Sequence, residues 1–218
     1  EWRDDRDCLW PASLSIQSWY EGRKHPSHGR QYDIAVSKSG LETATSSFQI
    51  LPKEFEIEIM NVRRNNIAPL NKGFPTMDFE LLIKDNGLEK NYYFVEATLI
   101  INGEASSNFN FWLPGKSDFS ADPCQTDEFF FPDDCFNGQN YSLKLGMETK
   151  SLDQEIAQDV EISVKGISQD YYEYLKSNRP QPEGFEVPFT EPNFIFSNIK
   201  NGYGIFGGFS ENKIIIEI

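Results

Sequence analysis

Few residues in this chain are suited to chemistry, and their spacing restricts what that chemistry is. The two histidines, His25 and His28, share one polar loop with Pro26 between them. Zinc takes three or four protein ligands, so these imidazoles would need Cys8 or a carboxylate to complete a site, and no spacing provides one. A nucleophile needs a base beside it. With both histidines in one loop and no Gly-x-Ser-x-Gly turn, a triad is not expected. Asp118, Asp122, Asp127, Glu128, Asp133 and Asp134 crowd an irregular segment around Phe129-Phe130-Phe131. Calcium wants six to eight oxygens on a loop that wraps it. The alternating Asp-x-Asp-x-Asp-Gly pattern is absent, which leaves Asp118, Asp122, Asp127, Asp133 and Asp134 as weak calcium candidates in a solvated loop. Paired carboxylates could hydrolyse a glycoside, but their separation is a three-dimensional property and no pair stands out. The expectation is no metal, no cofactor and no enzyme, with an acidic-pair hydrolase as the enzymatic alternative.

Two further groups bear on binding. Trp19, Tyr92, Trp112 and Tyr203 are candidates to stack on sugar rings, although with 18 Phe and 9 Tyr most aromatic residues must be core. Gly202-x-Gly204-x-x-Gly207 has the dinucleotide-binding spacing. No βαβ unit surrounds it, so that reading is dropped. Gly202, Gly204, Gly207 and Gly208 are read as structural, for tight turns and close backbone approach. Asn201-Gly202 and Gly207-Gly208 are the expected turns, with Ile205 and Phe206 pinning the stretch to the sandwich.

Composition bounds the rest. The chain has 218 residues, a formal net charge of −14 and 39% hydrophobic residues. That is enough for one large β domain or two small ones with a real core. The negative charge argues against nucleic acid, whose phosphates need a basic face. No apolar run approaches the ~18 residues that span a bilayer. The first residue is Glu1 and no leader is recognisable, so a processed or trimmed N-terminus is expected. Cys124 and Cys135 lie eleven apart and could close a local disulfide, contributing ~2–3 kcal/mol if unstrained. Cys8 is then left over; it could be free or pair with either of the others.

The elements that must position these residues are strands. Residues 1–11 read as irregular. Leu14 to Trp19, Tyr32 to Val36 and Thr43 to Ile50 read as strands, the last two joined at Ser39-Gly40. They form a small N-terminal β block, a partial sandwich over residues 1–52. Residues 53–218 form the main sandwich. There Phe55, Ile57 and Ile59 alternate with Glu54, Glu56 and Glu58 on a strand with one wet face. Asn61 to Pro75 reads as a loop, and residues 114–139 as irregular. Met77, Phe79, Leu81 and Ile83 alternate inward, as do Tyr93 to Ile101 and Tyr141 to Met147; Val160, Ile162 and Val164 follow the same pattern. Ser168 is placed to cap a helix near 168–177, with Tyr171, Tyr174 and Leu175 on one face and Asp170 in its first turn. The fold class is all-β: an antiparallel β-sandwich, immunoglobulin/fibronectin-like, with one short helix.

The C-terminal third carries a resemblance. Phe136-Asn137-Gly138-Gln139-Asn140-Tyr141 opens a core strand; Ile167-Ser168-Gln169-Asp170-Tyr171-Tyr172 and a proline-rich link follow. Ser197-Asn198-Ile199-Lys200-Asn201-Gly202-Tyr203-Gly204-Ile205-Phe206-Gly207-Gly208 comes last. Together they resemble the Bacteroidota envelope lipoprotein family catalogued as domain of unknown function 4249, over about residues 30–218. The resemblance implies an exported protein, lipid-anchored to the outer membrane, whose relatives' genes often neighbour TonB-dependent transporters. It implies no catalytic residue. The expected function is a non-enzymatic accessory or binding subunit beside such a transporter, acting as a monomer. The alternative is a carbohydrate-binding β-sandwich.

Overall fold

The computed structural model describes residues 2–4, 18–20, 27–48, 55–65, 76–106, 109–113, 128–149, 158–178 and 194–218, and the structural statements below concern these. Two short strands come first: β1 (Trp2–Asp4) pairs antiparallel with β2 (Ser18–Tyr20), so the opening residues, expected to be irregular, contain a strand. A hairpin follows, β3 (Tyr32–Val36) and β4 (Ala44–Phe48), turned at Lys38–Leu41 with Gly40 at φ +83°. That φ strains any residue with a Cβ, which is why Ser39-Gly40 marks the turn.

The sandwich then begins. β5 spans Glu56–Asn65, β6 Thr76–Lys84, β7 Tyr92–Ile101 and β8 Glu104–Ser106. β9 is Phe111–Trp112, β10 Phe130–Pro132, β11 Asn140–Glu148 and β12 Asp159–Ile167. Helix α1 (Gln169–Ser177) precedes the last strand, β13 (Phe209–Glu217). One sheet runs β5-β6-β11-β9 and the other β10-β7-β12-β13, with β8 beside β7. All pairings are antiparallel. The chain changes sheet between β6 and β7, returns at β9, crosses again for the edge strand β10, returns at β11, and changes once more between β11 and β12. This is the A-B-E-D against C-F-G order of the immunoglobulin sandwich.

Strict alternation places the core. Tyr141, Leu143, Leu145 and Met147 of β11 register opposite Ile83, Leu81, Phe79 and Met77 of β6, and all eight are buried. Across the second sheet Val164 faces Val95 and Val160 faces Leu99, again buried. Burying each such side chain contributes about 1.5–3 kcal/mol relative to leaving it exposed. Aromatic rings close one end: Phe136 stacks on Tyr141 at 4.2 Å and 8°, and Phe55 meets Tyr93 edge-on at 5.2 Å. On the outer face of the second sheet Lys165 pairs with Glu96, its ammonium 5.6 Å from the Phe94 ring and 5.2 Å from that of Phe209.

Two expectations need correction. The loop expected from Asn61 onward instead continues β5 to Asn65, because a register shift between Ile59 and Asn61 absorbs Met60 as a bulge and lets pairing resume. The irregular region contains β10, whose Phe130–Pro132 pair with Phe94–Tyr92. Helix α1 docks through Tyr171 and Tyr172, which meet Phe94 at 6.5 Å and Tyr92 at 4.7 Å. Among the described residues no helix is long and apolar enough to cross a membrane.

Candidate functional site

The glycine-rich stretch from Phe194 to Gly208 is a strap tied at both ends. Ser168 sits at the N-cap position of α1 with extended φ −68° and ψ 155°, but its side chain makes no capping bond. Instead its Oγ accepts the Gly208 N–H at 3.3 Å, while its own N–H donates to the Gly208 carbonyl at 2.9 Å. Asn198 is the hub. Its Oδ1 accepts the Phe206 N–H at 2.8 Å, and its Nδ2 donates to Phe206 O at 2.8 Å and to Asp170 Oδ2 at 2.7 Å. Asp170 therefore serves the helix N-terminus and the strap together. At the other end of α1, Ser177 Oγ accepts the Phe196 N–H at 2.8 Å.

The opposite side of the strap holds the β3–β4 hairpin. Lys200 and Thr45 exchange backbone bonds of 3.1 and 2.8 Å. Ser46 Oγ donates to Asn198 O at 2.9 Å, and Asn201 Nδ2 to Thr43 O at 3.2 Å. Asn201 turns the chain with φ +58° and Gly204 does so with φ +127°. Gly207 has another role: a Cβ there would lie 3.0 Å from Ser168 Oγ and 3.1 Å from Tyr171 Cβ. It is an approach point rather than a turn. Ile205 and Phe206 are half-buried.

This braced unit carries much of the exposed apolar surface. Tyr203 is fully exposed, Phe194 is 89% exposed and Leu41 is 69% exposed, with Ile34, Val36 and Ile195 exposed beside them in sequence.

The four aromatic candidates fall in separate places. Trp19 lies in β2, with its side chain outside the described residues. Tyr92 is buried beneath Tyr172, and its hydroxyl is pushed up in pKa by burial. Trp112 is half-buried against Gly146, where a Cβ would come within 2.4 Å of the indole. Of the four, only Tyr203 is exposed among the described side chains.

The acidic segment divides. Asp118, Asp122 and Asp127 lie outside the described residues, as do Cys8, Cys124 and His25, so the expected pairing of Cys124 with Cys135 cannot be placed within them. Cys135 and His28 are exposed. Asp134 is exposed and pairs with Lys90 at 2.6 Å. Asp133 departs from the solvated loop expected there: its side chain is fully buried. β10 pairs with β7 immediately before it, and Phe136 enters the core just after, which draws the carboxylate inward. Its Oδ2 accepts the Asn91 N–H at 2.8 Å, and burial raises its pKa against the opposing effect of that bond. Asp85 shares the knot, accepting the Tyr93 hydroxyl at 2.5 Å and the Gly138 N–H at 2.7 Å. Burial first, and then the bond to Asp85, hold the Tyr93 hydroxyl protonated far above the usual phenol range. Asp85, Asn91 and Tyr93 went unnoticed in sequence because Asp85-Asn86-Gly87 reads simply as a turn. Among the described residues no three His, Cys, Asp or Glu side chains gather as a metal cluster.

Strand order and core define an immunoglobulin-type β-sandwich with a C-terminal strap. The chain matches the family model described as domain of unknown function (DUF4249) over residues 10–215, and it belongs to that family. No curated protein and no solved structure matches it.

Proposed function

We propose that this protein is a non-enzymatic accessory subunit of a bacterial cell envelope, lipid-anchored at the outer membrane and bound to a TonB-dependent transporter. The observation that carries the reading is the exposed apolar set on the strap and hairpin, with Tyr203 fully exposed and Phe194 nearly so. Aromatic side chains on a rigid frame are the usual anchors of protein interfaces, because they bury large area at low entropic cost. The hydrogen bonds from Asn198, Ser168 and Thr45 supply that rigidity before binding. The address and the partner rest on resemblance to Bacteroidota lipoproteins of this family. Affinity purification of the full chain from envelope extracts tests the reading. Recovery of a TonB-dependent transporter is the expected result, and its absence counts against it.

The second reading is glycan binding, favoured by the Tyr203 ring, which is free to stack on a sugar face. A glycan array with no signal for the intact protein removes it.

A further inference from the structure

Strand β13 ends the second sheet, and among the described residues only β12 pairs with it. Its register with β12 is unbroken from Phe209 opposite Ile167 to Glu217 opposite Asp159. Just beyond each end, the Gly208 carbonyl accepts the Ser168 N–H and the Ile218 N–H donates to the Gln158 carbonyl, both at 2.9 Å. Even-numbered residues therefore aim their backbone groups at β12. By alternation, Phe209, Glu211, Lys213, Ile215 and Glu217 aim theirs at the open edge. The same five side chains stand exposed on the outer face of the sheet. Open edges recruit strands, and proteins guard them with short length, bulges, proline or charge. Among the described strands the other edges of the sandwich are guarded. β5 carries the Met60 bulge, β9 has two residues, and β8 and β10 have three each, the latter ending in Pro132. β13 has nine residues, with no bulge, no proline and no glycine.

We propose that β13 is a homodimer edge, where two copies of this chain pair antiparallel about a twofold axis through Asn212, in place of the expected monomer. The side-chain pattern selects this register. About Asn212, Glu211 meets Lys213 of the partner subunit, and by symmetry Lys213 meets Glu211 of the partner subunit. Phe209, 47% exposed, meets Ile215 of the partner subunit, a position 64% exposed, and the reverse pair forms as well. Each of these four pairs exchanges two backbone hydrogen bonds, because all their members aim at the edge. Neighbouring registers fail. Centring on Lys213 sets two ammonium groups directly opposite, and centring on Glu211 sets two carboxylates opposite; like charges so placed are destabilising. A centre between two residues sets edge-aimed groups against groups already bonded to β12, and forfeits the ladder. The lysine that would otherwise guard this edge is thus matched by a carboxylate. The two second sheets join into one continuous sheet. An edge contact of this kind is at the small end of specific interfaces, so the dimer is reversible on dilution.

The test is sedimentation velocity of the full-length chain over a concentration series, with amide hydrogen exchange read at both ends of the series. The expected mass rises from one chain of 25.1 kDa toward two. Exchange at the Phe209, Glu211, Lys213 and Ile215 amides is expected to be fast in dilute solution and to slow as the mass rises. Lys213→Glu and Glu211→Lys, each shown to be folded by circular dichroism, are expected to stay single chains. Mixing the two variants is expected to restore a dimer, since the mixed pair again sets opposite charges across the edge. Exchange in the unmodified chain decides the matter even where a variant fails to fold. A single chain at every concentration overturns the proposal. A mass increase that leaves these four amides exchanging freely also overturns it, because the contact then lies elsewhere. Protection already complete in the dilute chain does the same, because the edge is then covered from within. Folded variants that dimerise separately, or a mixture of folded variants that stays monomeric, overturn the register and with it the proposal.

Discussion

Ser168 and Gly208 exchange two hydrogen bonds across forty residues of sequence, one from each backbone N–H. They clamp the start of α1 to the start of β13, and Gly207 lies in the contact. Gly207→Val is therefore expected to destabilise the fold by about 1–3 kcal/mol, because both Ser168 and Tyr171 would have to give way. Chemical denaturation reads this directly. An unchanged midpoint would show that the strap does not pack as described.

Leu81 is fully buried and registers opposite Leu143. Leu81→Ala is expected to cost about 2–5 kcal/mol, from lost transfer free energy and the cavity left between the sheets. A loss under 1 kcal/mol, in the same denaturation experiment, would contradict a sandwich core at this position.

Gly146 lies under the Trp112 indole. Gly146→Ala places a methyl inside that contact and must lift the ring or shift β9. The expected loss is about 1–3 kcal/mol, with a red shift of tryptophan emission as the indole meets water. Unchanged emission would refute the contact.

Burial raises the pKa of Asp133 in the folded protein above its unfolded value. The folded state then holds this proton more tightly than the unfolded state does. As pH rises from about 4, deprotonation penalises the folded state, and this group's contribution to stability falls until the folded-state pKa is passed. Asp133→Asn carries no such penalty. The stability difference between the variant and the unmodified protein is thus expected to move in the variant's favour as pH rises through that window. Thermal melts across the acid range check this. A difference independent of pH would mean that Asp133 titrates as it does when unfolded.

How much of this was legible in the sequence varies by element. β6 and β11 were plain, because one buried face against one wet face leaves strict alternation in Met77 to Ile83 and Tyr141 to Met147. The hairpin turn at Ser39-Gly40 and the span of α1 were equally readable. The bulge at Met60 was not, since an extra residue breaks alternation at the point where pairing continues. β10 was hidden because two of its residues belong to a phenylalanine run that alternation cannot resolve and its third is a proline, which reads as a strand breaker. Gly207 and Gly204 look alike in sequence, yet one meets a helix and the other turns the chain. Asp133 looked like one more solvated carboxylate, since its burial depends on β7, which lies about forty residues away. Convergence of Asp85, Asn91 and Asp133 is likewise a product of two turns meeting, which no local pattern records.

The central claim is that the strap and hairpin present a partner-binding surface. Tyr203→Ala and Phe194→Ala remove exposed rings only, so each is expected to leave stability within about 0.5 kcal/mol. Co-purification from envelope extracts, with the unmodified chain and the Tyr203→Ala/Phe194→Ala double variant side by side, is the most direct measurement. The account predicts that the unmodified chain recovers a TonB-dependent outer-membrane transporter and that the double variant, folded and equally stable, does not. Recovery of no transporter by the unmodified chain, or equal recovery by both, would contradict it.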